Sequence, residues 1–278
     1  MRPIAPNFIY IGTSKAGSTW LFNLLSHHPD VFMVPNKGLY FFDSHYDRGM
    51  DWYLSHFTSS GDFPVRCEIS HSYLYSGDAC RRIAALNPEM KLMVCVREPA
   101  DRAFSEYLDL VKNGRFLGAF EEALQQFPSL TEHGRYYTYL RPYYEQFGAE
   151  QIFVAVFDDI KNASADFTER MCLFLQIEPE IKSALLAKKV NAGGTPRLAP
   201  LVKSAKWGSK MLKRFGMRKT VGFAKRSILI KNLLYRPFTA KDRPSINKET
   251  LIMLRDQYQE EIRQFDQLTG TNLQSRWS

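Results

Sequence analysis

No apolar run in the 278 residues approaches the roughly 18 that a membrane-spanning helix needs. The opening MRPIAPNFIYIG carries one Arg and passes straight into a short apolar run. It lacks the longer apolar stretch and small-residue cleavage site of a secretory signal, so a cytoplasmic protein is expected. Cysteine is scarce. Cys67, Cys80, Cys95 and Cys172 form no C-x-x-C pair and have no His at zinc-finger spacing. Neither a disulfide framework nor a structural metal is expected from them. Cys95 and Cys172 stand in apolar runs and read as small buried hydrophobes. Internal repeats and low-complexity linkers are missing as well. Acidic residues are missing from one long stretch: between Lys188 and Lys241 stand 15 Lys and Arg and no Asp or Glu. The net charge of +8 is therefore local, and the rest of the chain is net acidic.

What is present is ordinary for a soluble globular chain, with 45% hydrophobic and 24% charged residues. The length suits one large domain, and a single domain over residues 1–278 is expected. Phe8-Ile9-Tyr10-Ile11 is short, apolar and ended by Gly12, which predicts a buried strand. A helix follows from Ser18 to Ser26 and stops at His28-Pro29. Further strands are expected at Val31–Met33, Arg66–Ile69, Lys91–Val96 and Gln151–Phe157. Helices are expected at Ala79–Leu86, Ala100–Lys112, Phe120–Gln126, Tyr137–Phe147 and Ala163–Leu175. Strands alternating with helices predict an α/β fold with a mostly parallel sheet, whose ligands bind at the carboxyl ends of the strands. Residues 198–240 read as a basic, amphipathic helical segment, and Thr250 to Leu268 as a final helix stopped at Gly270.

The loop after the first strand, GTSKAGSTW, has the two glycines of a Walker pattern but not its lysine. Ser18 follows Gly17, and the lysine is Lys15, inside the loop. A helix N-terminus offers free N–H groups and a partial positive charge, so the loop is an anion-binding candidate. Lys15 adds a full charge, and Ser18 and Thr19 add hydroxyls. The alternative is a plain strand-to-helix turn with a solvated lysine. Three residues early, the lysine suits a shorter ligand than ATP. A second constellation, VREPADRAFSEY, puts Arg97 at the carboxyl end of the KLMVCV strand and Ser105 on the next helix. Arg favours bidentate phosphate contact and Ser adds a hydroxyl, although a surface Arg could simply cap the helix.

GTSKAGSTW and VREPADRAFS resemble the two signatures of sulfotransferases that use 3′-phosphoadenosine 5′-phosphosulfate (PAPS). HHPDVFMVPNKGLYFFD, GMDWYLSHF, CEISHSYL, FDDI and NAGGTPR are similar to further segments of bacterial and glycan-type members. The resemblance covers most of residues 8–197 and the final helix. It implies a P-loop-like sulfotransferase fold, with a central mostly parallel sheet flanked by helices. It implies PAPS as co-substrate, with no metal. Ser14, Lys15, Ala16, Gly17, Ser18 and Thr19 would hold the 5′-phosphosulfate, and Lys15 would also stabilise the departing phosphate. Trp20 would stack on adenine, its alternative being a core anchor of the first helix. Arg97 and Ser105 would bind the 3′-phosphate, and Arg197 would close over the cofactor.

One expected group is missing. Many glycan-type and bacterial members carry a general-base Glu in a K-E-x-x-F-F segment, and here Gly38 stands in its place within Lys37-Gly38-Leu39-Tyr40-Phe41-Phe42. His71, after the Arg66–Ile69 strand, is the replacement to consider, because cytosolic-type members place a catalytic His after the equivalent strand. A histidine near its ordinary pKa suits proton abstraction at neutral pH. A structural role in a turn is the alternative. Asp43, His45 and Glu68 are weaker candidates, Glu68 as an organising residue. Tyr40, Tyr46, Tyr73, Tyr75 and Tyr107 could line an acceptor pocket.

The expected reaction moves a sulfuryl group to a hydroxyl or amine of a small-molecule or glycan acceptor. Two competing readings are a nucleotide-dependent kinase, since FVAVFDD resembles a Walker-B strand, and a non-catalytic nucleotide-binding protein. Residues 198–240 read as a helical cover over the site or as contact with an anionic acceptor or membrane surface. No recognition module for nucleic acid is visible.

Overall fold

The computed structural model describes residues 5–180 and 244–278, together with the backbone of two short strands at 194–196 and 235–237. Asn191, Arg197 and the basic segment apart from 235–237 lie outside the described residues, and at 235–237 the chain is a strand where a helix is expected.

Five strands, β1 (Phe8–Gly12), β2 (Val31–Met33), β3 (Val65–Ile69), β4 (Lys91–Val96) and β5 (Ile152–Val156), form one parallel sheet in the order β2-β3-β1-β4-β5. Their side chains alternate between two cores. Ile9, Ile11, Leu92, Val94 and Val96 face one side, while Phe8, Tyr10, Cys67, Met93 and Cys95 face the other. A parallel sheet covered on both faces needs strands that are apolar throughout, as these are. On the second face, α1 (Ser18–Leu25) and α10 (Ser164–Leu175) bury Trp20, Leu21, Leu24, Leu25, Phe167, Met171 and Cys172.

The first face is covered by α4 (Gly77–Leu86), α5 (Pro99–Lys112), α8 (Tyr136–Phe147) and α11 (Lys248–Thr269). Local signals set their ends. The Ser76 hydroxyl accepts from the Ala79 N–H at the start of α4, and the Glu98 carboxylate accepts from the Asp101 N–H at the start of α5. Pro99 fits the first turn, where no N–H is needed. Helix α11 is capped by Asn247 and stopped at Gly270, and α12 (Leu273–Trp277) tucks Leu273 and Trp277 into the same core. Short helices α2 (Phe41–Ser44), α3 (Met50–Leu54), α6 (Phe120–Gln126) and α7 (Ser129–Glu132) complete this side. The strands at 194–196 and 235–237, β6 and β7, pair antiparallel.

Most expected elements stand within one or two residues of their predicted bounds. The strand expected to run to Phe157 ends at Val156, and a separate helix α9 (Phe157–Asn162) follows it. The chain enters the sheet at β1, builds β2 and β3 to one side, then crosses to β4 and β5. Strands β1 and β4 flank the point where the order reverses, so the loops after them meet over the natural binding crevice of such a sheet.

Candidate active site

The loop after β1 is built from backbone. Gly17 precedes α1 at φ 87°, and a Cβ there would come within 3.2 Å of Ile160 and Phe157. Lys15 also takes a left-handed φ of 66°. These turns hold Ser14, Ala16 and Ser18 against the protein, while Lys15, Gly17 and Thr19 stay partly exposed. Among the described residues the buried Ser14 Oγ lies near the Tyr75 hydroxyl but makes no hydrogen bond of ordinary geometry. Arg97 extends from the end of β4 over the Phe157 ring at 5.0 Å, and its guanidinium reaches the Lys15 carbonyl at 3.4 Å. Lys15 Nζ lies 3.4 Å from Asp109 on α5, one turn beyond Ser105. Ser105 is half-buried on α5. The structure thus brings Arg97 and α5 onto the loop.

A third cation arrives from outside both motifs. Lys37 Nζ donates to Ser18 Oγ at 3.0 Å and to Thr19 Oγ1 at 2.8 Å. Burial, with Lys15 as a like-charged neighbour, pushes the Lys37 ammonium down to about 8. The sequence held this residue in plain view at the head of KGLYFF, but nothing in its spacing ties it to Ser18 and Thr19. Three cations, an unpartnered Ser14 hydroxyl and a glycine-shaped helix entrance make a site that fits a phosphorylated anion.

The wall facing the loop rests on Glu68. It is fully buried and accepts hydrogen bonds from Tyr53 (3.0 Å), Tyr73 (2.8 Å) and Ser70 (2.8 Å). Burial pushes its carboxyl up to about 7 even though these three hydroxyls favour the charged form. The same groups hold the segment after Lys37: the Tyr73 hydroxyl accepts from the Phe41 N–H at 2.8 Å, and Ser70 Oγ from the Tyr40 N–H at 3.0 Å. Glu68 organises this wall and has no exposed face with which to meet a ligand.

His71 sits beside it, with Nε2 2.7 Å from the Tyr40 hydroxyl. Its expected ordinary pKa is corrected by the structure. Burial, reinforced by Lys37 and Lys15 and only partly opposed by Glu106, pushes it down to about 4. The ring is neutral at pH 7. Asp43 is bound to the Ser72 hydroxyl through one oxygen, and its other oxygen is buried without a partner among the described residues. His45 is exposed. The tyrosines divide. Tyr73 and Tyr107 are in the core, with their hydroxyls on Glu68 and on the Gly118 carbonyl, so they cannot line a pocket. Tyr75 stacks on His133 at 3.8 Å, and Tyr46 is exposed beneath Arg82. Tyr40 alone reaches His71.

Trp20 is 8% exposed and meets Phe167 edge-on at 5.9 Å, so most of the indole belongs to the core. Arg102, within the second motif, is fully buried; it bonds Glu106 at 2.5 Å and the Leu130 carbonyl, which fixes α5 against α7. The Walker-B resemblance dissolves in the structure. Asp158 accepts from the Trp277 indole at 3.2 Å, and Asp159 pairs with Arg170 at 3.1 Å and Arg276 at 2.5 Å. These carboxylates anchor α12 and α10. No group of His, Cys, Asp and Glu placed to hold a metal ion occurs among the described residues.

The sulfotransferase domain family model matches residues 5–191, which include the loop, the facing wall and the Arg97 motif. The chain belongs to this family. As a sulfotransferase-domain protein it is 36% identical over 115 residues to human heparan sulfate glucosamine 3-O-sulfotransferase 6, covering 41% of this chain and 33% of that protein. It is 27% identical over 274 residues to mouse heparan sulfate glucosamine 3-O-sulfotransferase 3A1, covering 95% of this chain and 63% of the relative. The chain thus spans between a third and two thirds of the length of these relatives. Among solved structures, a sulfotransferase from Alicyclobacillus acidocaldarius superimposes with a TM-score of 0.61 at 22% identity. That match covers 86% of this chain and all of the other. The sulfotransferase domain from the curacin biosynthetic pathway gives 0.51 at 11% identity, over 67% of this chain and 79% of that one. These likenesses show the fold of this chain: a parallel five-stranded sheet between helices. No helix among the described residues is long and apolar enough to cross a membrane.

Proposed function

We propose that this sulfotransferase moves a sulfuryl group from PAPS to a hydroxyl or amine of a small-molecule or glycan acceptor. The observation that carries the reading is the convergence of Lys15, Lys37 and Arg97 on one glycine-bounded helix entrance, beside a neutral His71. The donor supplies a sulfuryl group carried on a phosphate leaving group. Backbone N–H groups of Ala16 to Thr19 would hold that phosphate, with Ser14 adding its spare hydroxyl. Lys15 would leave Asp109 for the phosphate and stabilise charge there. A contact near 4 Å at an effective dielectric of about 20 is worth about 4 kcal/mol before desolvation. Preorganised charge of this kind is often the largest catalytic contribution. Arg97 and Ser105 would take the 3′-phosphate, with Arg197 closing over it. The adenine contact assigned to Trp20 would use the small part of the indole that the core leaves exposed. His71 would be the base for the proton that the acceptor gives up.

The relatives are named for glucosamine 3-O-sulfation of heparan sulfate, which supports a glycan among the acceptors to try. Four free, buried cysteines suit a reducing compartment, and the cytoplasm is the proposed location. One domain over residues 1–278 is proposed, with the basic segment at 198–240 facing an anionic acceptor or surface. The test is calorimetry with adenosine 3′,5′-bisphosphate and with ATP, followed by a mass-spectrometric acceptor screen for a gain of SO₃. Tighter binding of the bisphosphate supports the reading, and equal or tighter binding of ATP contradicts it. The competing reading, a non-catalytic binding protein, rests on Gly38. It predicts bisphosphate binding with no SO₃ transfer to any acceptor.

A further inference from the structure

The space beside Gly38 is filled by Tyr40. Gly38 lies at φ 78°, and a Cβ built on it would stand 2.5 Å from Cε2, 2.8 Å from Cζ and 2.9 Å from the hydroxyl of Tyr40. Any side chain at position 38 would displace this ring. The ring's own backbone is constrained, since Tyr40 takes a left-handed φ of 50°, a conformation that costs a non-glycine residue free energy. The wall holds it there. The Tyr40 N–H donates to Ser70 Oγ, Ser70 donates to Glu68, and the Gly38 N–H donates to the Ile69 carbonyl at 2.9 Å. The result is a phenol aimed at His71, with Oη and Nε2 2.7 Å apart and the rings 5.3 Å apart at 74°.

The pair stands next to the donor loop on two sides. A Cβ on Gly12 would lie 3.3 Å from the His71 carbonyl, so the His71 backbone rests on the loop's first residue. Lys37, three residues before Tyr40, is bonded to Ser18 and Thr19 at the loop's other end. Protonation states limit what each partner can donate. Burial, with Asp43 and Glu68 nearby, pushes the Tyr40 phenol up to about 12, so it keeps its proton at neutral pH. His71 is neutral and has one nitrogen in this contact. With the neutral His71 carrying its proton on Nδ1, Tyr40 donates, Nε2 accepts, and the Tyr40 oxygen keeps lone pairs for a further donor.

On the sulfuryl-transfer reading, we propose that Tyr40 and His71 form one proton relay and that Tyr40, not His71, meets the acceptor. The acceptor oxygen forms its bond to sulfur while the bond from sulfur to the phosphate oxygen breaks, its electron pair leaving on the phosphate. In the same step the acceptor's proton passes to Tyr40 Oη, and the Tyr40 proton passes to His71 Nε2. Release of that proton from His71 to solvent restores the pair, because Tyr40 already carries the proton taken from the acceptor. Gly38 is the residue that makes room for it. Tyr40 is then a catalytic residue, and Gly38 and Ser70 are positioning residues.

The experiment compares the wild type with Tyr40→Phe, His71→Gln and the double variant, on three readouts. Nitrogen-15 NMR of the imidazoles reads the tautomer: Nε2 of His71 is expected unprotonated in the wild type from pH 5 to 8 and to lose that preference in Tyr40→Phe. Sulfate release from PAPS, with water standing in for the acceptor, is expected to fall by about 10²–10⁴-fold in each single variant. The double variant should be no slower than the worse single one, as for groups acting as a unit. Calorimetric binding of adenosine 3′,5′-bisphosphate is expected to stay within about threefold throughout, which also shows that Tyr40→Phe is folded. A protonated Nε2 in the wild type, wild-type sulfate release in Tyr40→Phe, or additive losses in the double variant would each overturn the relay. Failure of the wild type to bind the bisphosphate would instead remove the sulfuryl-transfer reading beneath it.

Discussion

The loop from Gly12 to Thr19 and the wall from Lys37 to Asp43 face each other across the site, but they are held in shape differently. The loop keeps its form through backbone turns at Lys15 and Gly17, and its Ser14 hydroxyl is left without a hydrogen bond of ordinary geometry. The wall keeps its form through side chains, a web of hydroxyls gathered on the buried Glu68 that fixes the N–H groups of Tyr40 and Phe41. A backbone-built site can be read from glycine spacing. A side-chain-built one can be rewired while its function is kept.

That contrast can be broken by mutation. The largest effect is expected at Lys15. Lys15→Ala should slow sulfuryl transfer by about 10²–10³-fold while weakening bisphosphate binding far less, as read by rate assays and calorimetry on the same samples. Next come the two glycines. Gly38→Ala meets both a left-handed backbone and the Tyr40 ring and should cost about 2–4 kcal/mol in chemical denaturation. Gly17→Ala meets a similar backbone but a looser contact and should cost about 1–2 kcal/mol. Adding Tyr40→Ala to Gly38→Ala should recover part of the loss; simple additivity would show that ring and glycine are not coupled.

The wall should also carry two opposed pH dependences. His71 has its folded pKa lowered from 6.5 to about 4. Between these values the unfolded chain holds the extra proton, so this contribution to stability is lost as pH falls toward 4. Glu68 is raised from 4.5 to about 7, so the folded protein holds the extra proton, and its contribution is lost as pH rises toward 7. Each slope is about 1.4 kcal/mol per pH unit at most, and in the wild type they offset each other between pH 4.5 and 6.5. Removing one should expose the other. His71→Gln should lose stability from pH 5 to 7, and Glu68→Gln should gain it from pH 4.5 to 6.5, both measured by urea denaturation.

The smallest effect belongs to the link between the two regions. Lys37, at about 8, should take up a fraction of a proton when an anion binds at pH 8. Calorimetry of bisphosphate binding in buffers of different ionisation enthalpy should show that uptake, and Lys37→Met should abolish it.

The strands and long helices were legible because continuous apolar runs and 3.6-residue periods are local properties, as KLMVCV and Phe120–Gln126 illustrate. The loop and the Arg97 motif were legible for the same reason: their residues lie within one short stretch each. The Lys37 contact with Ser18 and Thr19 spans nearly twenty residues and depends on how β2 returns to the sheet, which no spacing encodes. The role of Tyr40 was hidden behind Gly38. The sequence displayed a missing carboxylate, while the structure displays the ring that occupies its space. The lowered pKa of His71 was invisible for a related reason, since it comes from burial and from two lysines distant in the chain. FVAVFDD resembles a Walker-B strand because an apolar strand ending in two Asp looks the same whether they face a nucleotide or, as here, pair with Arg170, Arg276 and Trp277.

The central claim is that Lys15, Lys37 and Arg97 form a cradle for a nucleotide phosphorylated at both the 3′ and 5′ positions. Calorimetric titration of the purified protein with adenosine 3′,5′-bisphosphate, adenosine 5′-monophosphate and ATP tests it most directly. The account predicts that the bisphosphate binds at least tenfold more tightly than either of the others, and that Arg97→Ala removes this preference. Equal affinity for the bisphosphate and the monophosphate, or tighter binding of ATP, would contradict it.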